Sequence, residues 1–308
     1  MKSRAPYSRV MIALEGELHD DLILKYSAYL LSYLRVEQLF LVHVSPDLSL
    51  PKDLQEKYKE LLPPKEEQLE KYLTELHAYA FGDKHDYRVQ TVLVEGDPFE
   101  NILRQCHIKD IDLLILGRRN SDRDHQLMGA RLAEQGPCSV LLIPETSNQE
   151  INEIYLPLDF SETGESSVNF SRELSEHCNA EVRCLHFYSP ARGYLKSAEA
   201  ERELRNDLKD RAKKEWIEYK KRLDLPTNWS CEQIENRGEA PAHALFLAEH
   251  FGSDLIVLSS KGRTASASVL MGSFAKEMVR LNRRIPMIVL KKKRENLDFF
   301  DALMGLLD

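Results

Sequence analysis

The chain has 308 residues, 43% hydrophobic and 30% charged, with 42 basic against 50 acidic side chains and a formal net charge of −8. That length fits two domains of about 150 residues, each able to bury a sizeable core. The composition excludes a basic nucleic-acid binder, no apolar run approaches the ~20 residues of a spanning helix, and the opening apolar run is too short for a secretion signal.

Residues 9–14, 38–44, 87–94, 112–117 and 139–143 are short runs rich in Val, Ile and Leu that do not alternate with polar residues. Strands buried on both faces read this way. Between the first two, Ile23, Tyr26, Leu30 and Leu34 keep the helical period. A second helical pattern from Leu54 to Leu76 is interrupted by Pro63-Pro64, which should break or kink it. The series then starts again, with strands expected at 153–158, 181–188, 230–236, 254–259 and 286–290. A long charged helix lies among them, marked by Leu204, Leu208, Ala212, Trp216, Tyr219 and Leu223.

The second series repeats the first. Val10-Met-Ile-Ala-Leu-Glu15 matches Ile154-Tyr-Leu-Pro-Leu-Asp159, and Leu41-Val-His43-Val44 matches Cys184-Leu-His186-Phe187. Ile111-Asp112 to Gly117 matches Ser253-Asp254 to Ser259. The expected organisation is therefore two copies of one domain, 1–148 and 149–292, followed by a tail at 293–308. Strands alternating with helices imply right-handed crossovers, hence a doubly wound α/β domain with a five-stranded parallel sheet in each copy. Ligands of such sheets sit beyond the carboxyl ends of the strands.

At that end of the second copy lies Leu258-Ser-Ser-Lys-Gly262-Arg263, followed by Gly272-Ser273-Phe274 at the start of a helix. Glycines let backbone approach a ligand, and the first amides of a helix point outward with the positive dipole end. Ser273 adds a hydroxyl, and Lys261 and Arg263 add charge, so the natural occupant is a phosphate chain. Two glycines ten residues apart also fit a turn and a plain helix start.

Taken together, the duplicated pattern and this loop resemble a tandem universal stress protein. ATP-binding members of that family carry Gly-x2-Gly-x9-Gly-(Ser/Thr) after the fourth strand, and Ser259, Gly262, Gly272 and Ser273 keep the spacing. The resemblance implies a flavodoxin-like, adenine nucleotide alpha hydrolase-like fold. It also implies ATP as ligand, with or without Mg²⁺. Pro157 and Asp159 would bound the nucleoside, Phe187 and Leu258 would line the base pocket, and Gly262, Arg263, Gly272, Ser273 and the Phe274 amide would face the phosphates. Because family members pair through the last strand, it further implies an intramolecular pseudo-dimer, with a homodimer of whole chains left open.

The chain departs from the family at several points. Ser259 replaces the first glycine, a cost of about 1 kcal/mol or more if that position needs positive φ. Thr264 and Ala265 stiffen the loop. In the first copy, Asn120 and Ala130 replace a glycine and the hydroxyl, and Glu15 replaces the aspartate. That copy is expected not to hold ATP in the family manner.

Nothing in the sequence assembles a catalytic constellation: Walker A, Gly-x-Gly-x-x-Gly and His-Glu-x-x-His patterns are absent. His177, Cys178, Cys184 and His186 have zinc-ligand chemistry but no finger spacing, and they read as packed thiols and a hydrogen-bonded core histidine. Five cysteines at irregular spacing are no disulfide framework and fit a reducing cytoplasm. The tail places Leu297, Phe300, Leu303 and Leu307 on one helical face. The reading is a cytoplasmic adenine-nucleotide-binding stress-response protein that regulates an unidentified protein partner. A scaffold with both sites degenerate and a binder of another small ligand stand as alternatives.

Overall fold

The computed structural model describes residues 7–16, 19–45, 65–82, 85–119, 123–188, 197–263, 270–292 and 305. These divide into two compact units, the first running up to Glu150 and taking in Lys291, the second spanning Ile151–Leu290.

The first unit has strands β1 (Arg9–Leu14), β2 (Gln38–Ser45), β3 (Arg88–Glu95), β4 (Leu113–Arg118) and β5 (Ser139–Pro144). Its helices are α1 (Asp20–Leu31), α2 (Lys65–Phe81), α3 (Pro98–Ile108) and α4 (Arg123–Gln135). The strands are parallel in the order β3-β2-β1-β4-β5. Met11, Ile12, Leu39, Leu41, Leu114 and Ile115 are fully buried, as expected of strands covered on both faces. Helix α2 runs from Lys65 to Phe81, and the break expected at Pro63-Pro64 lies outside the described residues. Leu34 lies beyond the end of α1 and is buried all the same.

The second unit repeats the plan with β6 (Glu153–Pro157), β7 (Glu181–Tyr188), β8 (Ser230–Glu235), β9 (Leu255–Ser259) and β10 (Met287–Leu290). Between them run α5 (Glu165–Cys178), α6 (Ala198–Arg222), α7 (Ala240–His250) and α8 (Ser273–Leu281), with a short 3-10 turn at Glu162–Gly164. Its parallel order is β8-β7-β6-β9-β10. All ten strands lie within one residue of the limits read from the sequence. Helix α6 buries Ala212, Trp216 and Tyr219 on the sheet, while Leu204, Leu208 and Leu223 are half-buried.

In each unit the winding reverses between the first and fourth strands, which opens a crevice at their carboxyl ends. The stretches around Thr264-Ala265 and Asn120, residues 54–64, and the apolar face expected at 297–307 lie outside the described residues.

Candidate functional site

In the second unit the chain leaves β6 through Leu158, Asp159 and Phe160. Phe160 is held in the left-handed region at φ 60°, where a side chain with a Cβ is uncommon. Its ring stacks on His186 (4.2 Å between centroids, 20° between planes) and lies near Tyr219 (5.2 Å) and Trp216 (6.0 Å) of α6. His186, at the end of β7, bonds through Nδ1 to the Leu158 carbonyl at 2.8 Å. Burial holds its imidazole below the ordinary value; the Leu158 bond pulls the other way, and Arg263 adds to the lowering.

This bend aims Asp159 across the crevice at the loop after β9. Asp159 Oδ1 accepts from the Ser161 amide (3.0 Å) and hydroxyl (2.6 Å). Its Oδ2 accepts from the Arg263 amide at 2.5 Å. Gly262 lies against the same carboxylate, and a Cβ there would stand 2.7 Å from Oδ2. The Gly272 amide donates to the Ser260 carbonyl at 2.7 Å, which folds the far end of the loop back beside Gly262.

Helix α8 then starts with no side-chain cap. Among the described residues, no acceptor meets the amides of Gly262, Ser273 and Phe274. These amides are positive partial charges at a helix start and in the turn beside it. The Arg263 side chain is exposed next to them.

The expected base pocket is partly assembled. Phe187 lies 6.2 Å from Phe274 and 5.8 Å from His243, centroid to centroid. Leu258 is buried and Pro157 half-buried at the strand ends below.

Ser259 does not stand in the loop's way: its Oγ lies 3.4 Å from Ser166 Oγ on α5. It is a strand residue, outside the left-handed positions, so the strain considered for it does not arise. The first unit shows why a side chain fits. The equivalent Gly117 faces Ile23, whose Cδ1 would be 2.5 Å from an added Cβ, whereas the position equivalent to Ile23 holds Ser167.

Four participants carried little sequence signal. Ser161 and Thr163 support Asp159 through a hydroxyl pair at 2.7 Å. Phe160 replaces Gly16 of the first copy, itself at φ 78°, and that glycine was the clue to a left-handed position. Tyr219 Oη, buried beside Gly164, has no hydrogen-bond partner among the described residues. His177 and Cys178 instead bond to carbonyls of their own helix, Glu173 and Leu174, and Cys184 is fully buried.

In the first unit, Glu15 pairs with the Arg119 side chain. The turn after β1 is pinned by Asp20, whose carboxylate accepts from the amides of Glu15 (3.0 Å) and Gly16 (2.7 Å). Ala130 stands on α4 where the second unit has Ser273.

Known proteins bear on this architecture in three ways. The family model described as "Universal stress protein family" matches residues 6–144 and 150–291. The universal stress protein MJ0577 of Methanocaldococcus jannaschii is 28% identical over 155 residues, 46% of this chain and 94% of that protein. Among solved structures, a protein of unknown function from Pseudomonas aeruginosa covers 97% of this chain and 98% of its own, at TM-score 0.68 and 14% identity. A universal stress protein from Archaeoglobus fulgidus covers 92% and 97%, at TM-score 0.61 and 15% identity. At such identities the two structures establish likeness of fold.

Proposed function

The chain belongs to the universal stress protein family through both of its halves, and on that premise we propose that its second unit binds ATP as a regulatory ligand. The observation that carries this reading is the meeting of Asp159 with the β9–α8 loop. One carboxylate shapes a turn whose remaining amides, at Gly262, Ser273 and Phe274, face no acceptor among the described residues. An anion completes such a set. Phe187 and Leu258 supply an apolar wall for the base, and Asp159 supplies the carboxylate expected beside the nucleoside. Occupancy would order the loop and so bias the binding of a protein partner, because a ligand shifts a conformational equilibrium by its differential affinity. The reading asks for no turnover, and no His/Cys/Asp/Glu cluster of metal-ligand type occurs among the described residues.

The test is thermal unfolding of the whole chain with and without Mg-ATP. A ligand at 100 times its Kd adds about 2.7 kcal/mol. A rise in Tm, with slowed amide exchange at Gly262 and Ser273–Phe274, is the expected result. An unchanged Tm at millimolar ATP overturns the proposal.

A second reading, a scaffold whose nucleotide sites are both lost, draws on one specific observation. Two loop amides, of Arg263 and Gly272, are already held by Asp159 and Ser260. The same melt decides between the two.

A further inference from the structure

The first unit has a cavity of about 700 Å³ at the carboxyl ends of β1, β2 and β4, flanked by the start of α3 and by Leu127, Met128 and Arg131 of α4. That size suits a small molecule. Its wall is mainly hydrocarbon, with Ala13, Val44, Leu116, Ile102 and Met128 all facing it. The repeat shows how it arises. Val44 takes the place of Phe187, and Arg131, two residues after Gly129, takes the place of Phe274, two residues after Gly272. The aromatic pair that faces itself across the second unit is thus an aliphatic side chain and a cation in the first.

The charged groups on the lining are not equivalent. Glu15 is neutralised by Arg119. Asp97 caps α3, accepting from the Glu100 amide at 2.9 Å. Arg131 is exposed, its guanidinium 3.7 Å above the Phe99 ring, and it makes no ion pair with any described residue. Stacking on an aromatic face orients the planar guanidinium while leaving its edge donors for a carboxylate.

We infer that the first unit is a binding site for an aliphatic monocarboxylate, with the chain in the cavity and the acid group on Arg131. Phosphate chains are poorly served there, because Ala130 offers no hydroxyl where the second unit has Ser273. Apolar burial supplies the affinity and the single cation sets the orientation. The inference is independent of ATP binding by the second unit.

The test is calorimetric titration of the full chain with decanoate and with decanol. Decanoate is expected to bind at one site per chain. Arg131→Gln should weaken decanoate at least tenfold and leave decanol within twofold, and Ala13→Phe, which fills the cavity, should abolish both. Excess ATP should not displace decanoate. Absence of decanoate binding overturns the inference, as does equal loss of decanoate and decanol in Arg131→Gln. Unimpaired binding in Ala13→Phe, or displacement by ATP, which would place the acid in the second unit, also overturns it.

Discussion

Asp159 occupies the space that a side chain on Gly262 would need: a Cβ there would meet Oδ2 at 2.7 Å, while the same oxygen holds the neighbouring Arg263 amide. The two residues are a single device, a carboxylate and a gap shaped to it. Gly262→Ala must push the carboxylate off and lose the Arg263 bond, at a cost of about 1–2 kcal/mol. Gly272→Ala has its nearest neighbour at 3.5 Å and ordinary dihedrals (φ −64°, ψ 150°), so it should be nearly neutral. Adding Asp159→Ala to Gly262→Ala should make the glycine change almost free. Chemical denaturation of these three variants and of Asp159→Ala alone checks the set, and equal costs for the two glycines would refute it.

Phe160 combines a favourable ring stack with an unfavourable backbone. At φ 60° a non-glycine residue is strained by roughly 1 kcal/mol or more. Phe160→Ala loses the contacts with His186, Trp216 and Tyr219 and keeps the strain; Phe160→Gly loses the same contacts and releases it. Both should destabilise, with glycine better than alanine by about 1 kcal/mol. The reverse order would show that the stack does not depend on the left-handed bend.

Ser259 and Gly117 should respond in opposite ways to exchange. Gly117→Ala forces a Cβ to within 2.5 Å of Ile23 Cδ1, an overpacking cost of about 1–3 kcal/mol. Ile23→Ala in the same chain should recover part of it. Ser259→Gly removes only the contact with Ser166, so stability should fall by no more than about 1 kcal/mol. If the ATP proposal holds, affinity should change little, because the hydroxyl turns away from the loop. A large gain in affinity in Ser259→Gly would show that the serine obstructs the nucleotide.

Acidification should weaken the second unit through His186. Its native pKa is held below the ordinary value, chiefly by burial, so the unfolded chain takes up the proton first. The stability this group contributes is present above the unfolded value near 6.5 and is lost as pH falls through the lowered native value. Melts of the chain should therefore show falling stability between about pH 7 and pH 5, and a shallower slope in His186→Gln. His77 in the first unit is lowered likewise, by burial and then by His85, so part of the slope should persist. An unchanged slope in His186→Gln would remove this histidine from the account.

Much of the architecture was written in local pattern. Apolar runs of fixed length and helical spacing are short-range properties, and they located all ten strands. The duplication and the loop between Leu258 and Phe274 were equally visible, because glycine spacing is a one-dimensional signal. Tertiary structure alone decided which atoms those elements present to one another. That Gly262 answers to Asp159, that Ser259 rests on Ser166, and that Phe160 lies on His186 are consequences of parallel crossovers joining segments far apart in the chain. The cavity of the first unit was hidden for the same reason. Val44 and Arg131 read as unremarkable substitutions in sequence, and only packing turns the loss of two facing rings into a cavity open at the strand ends.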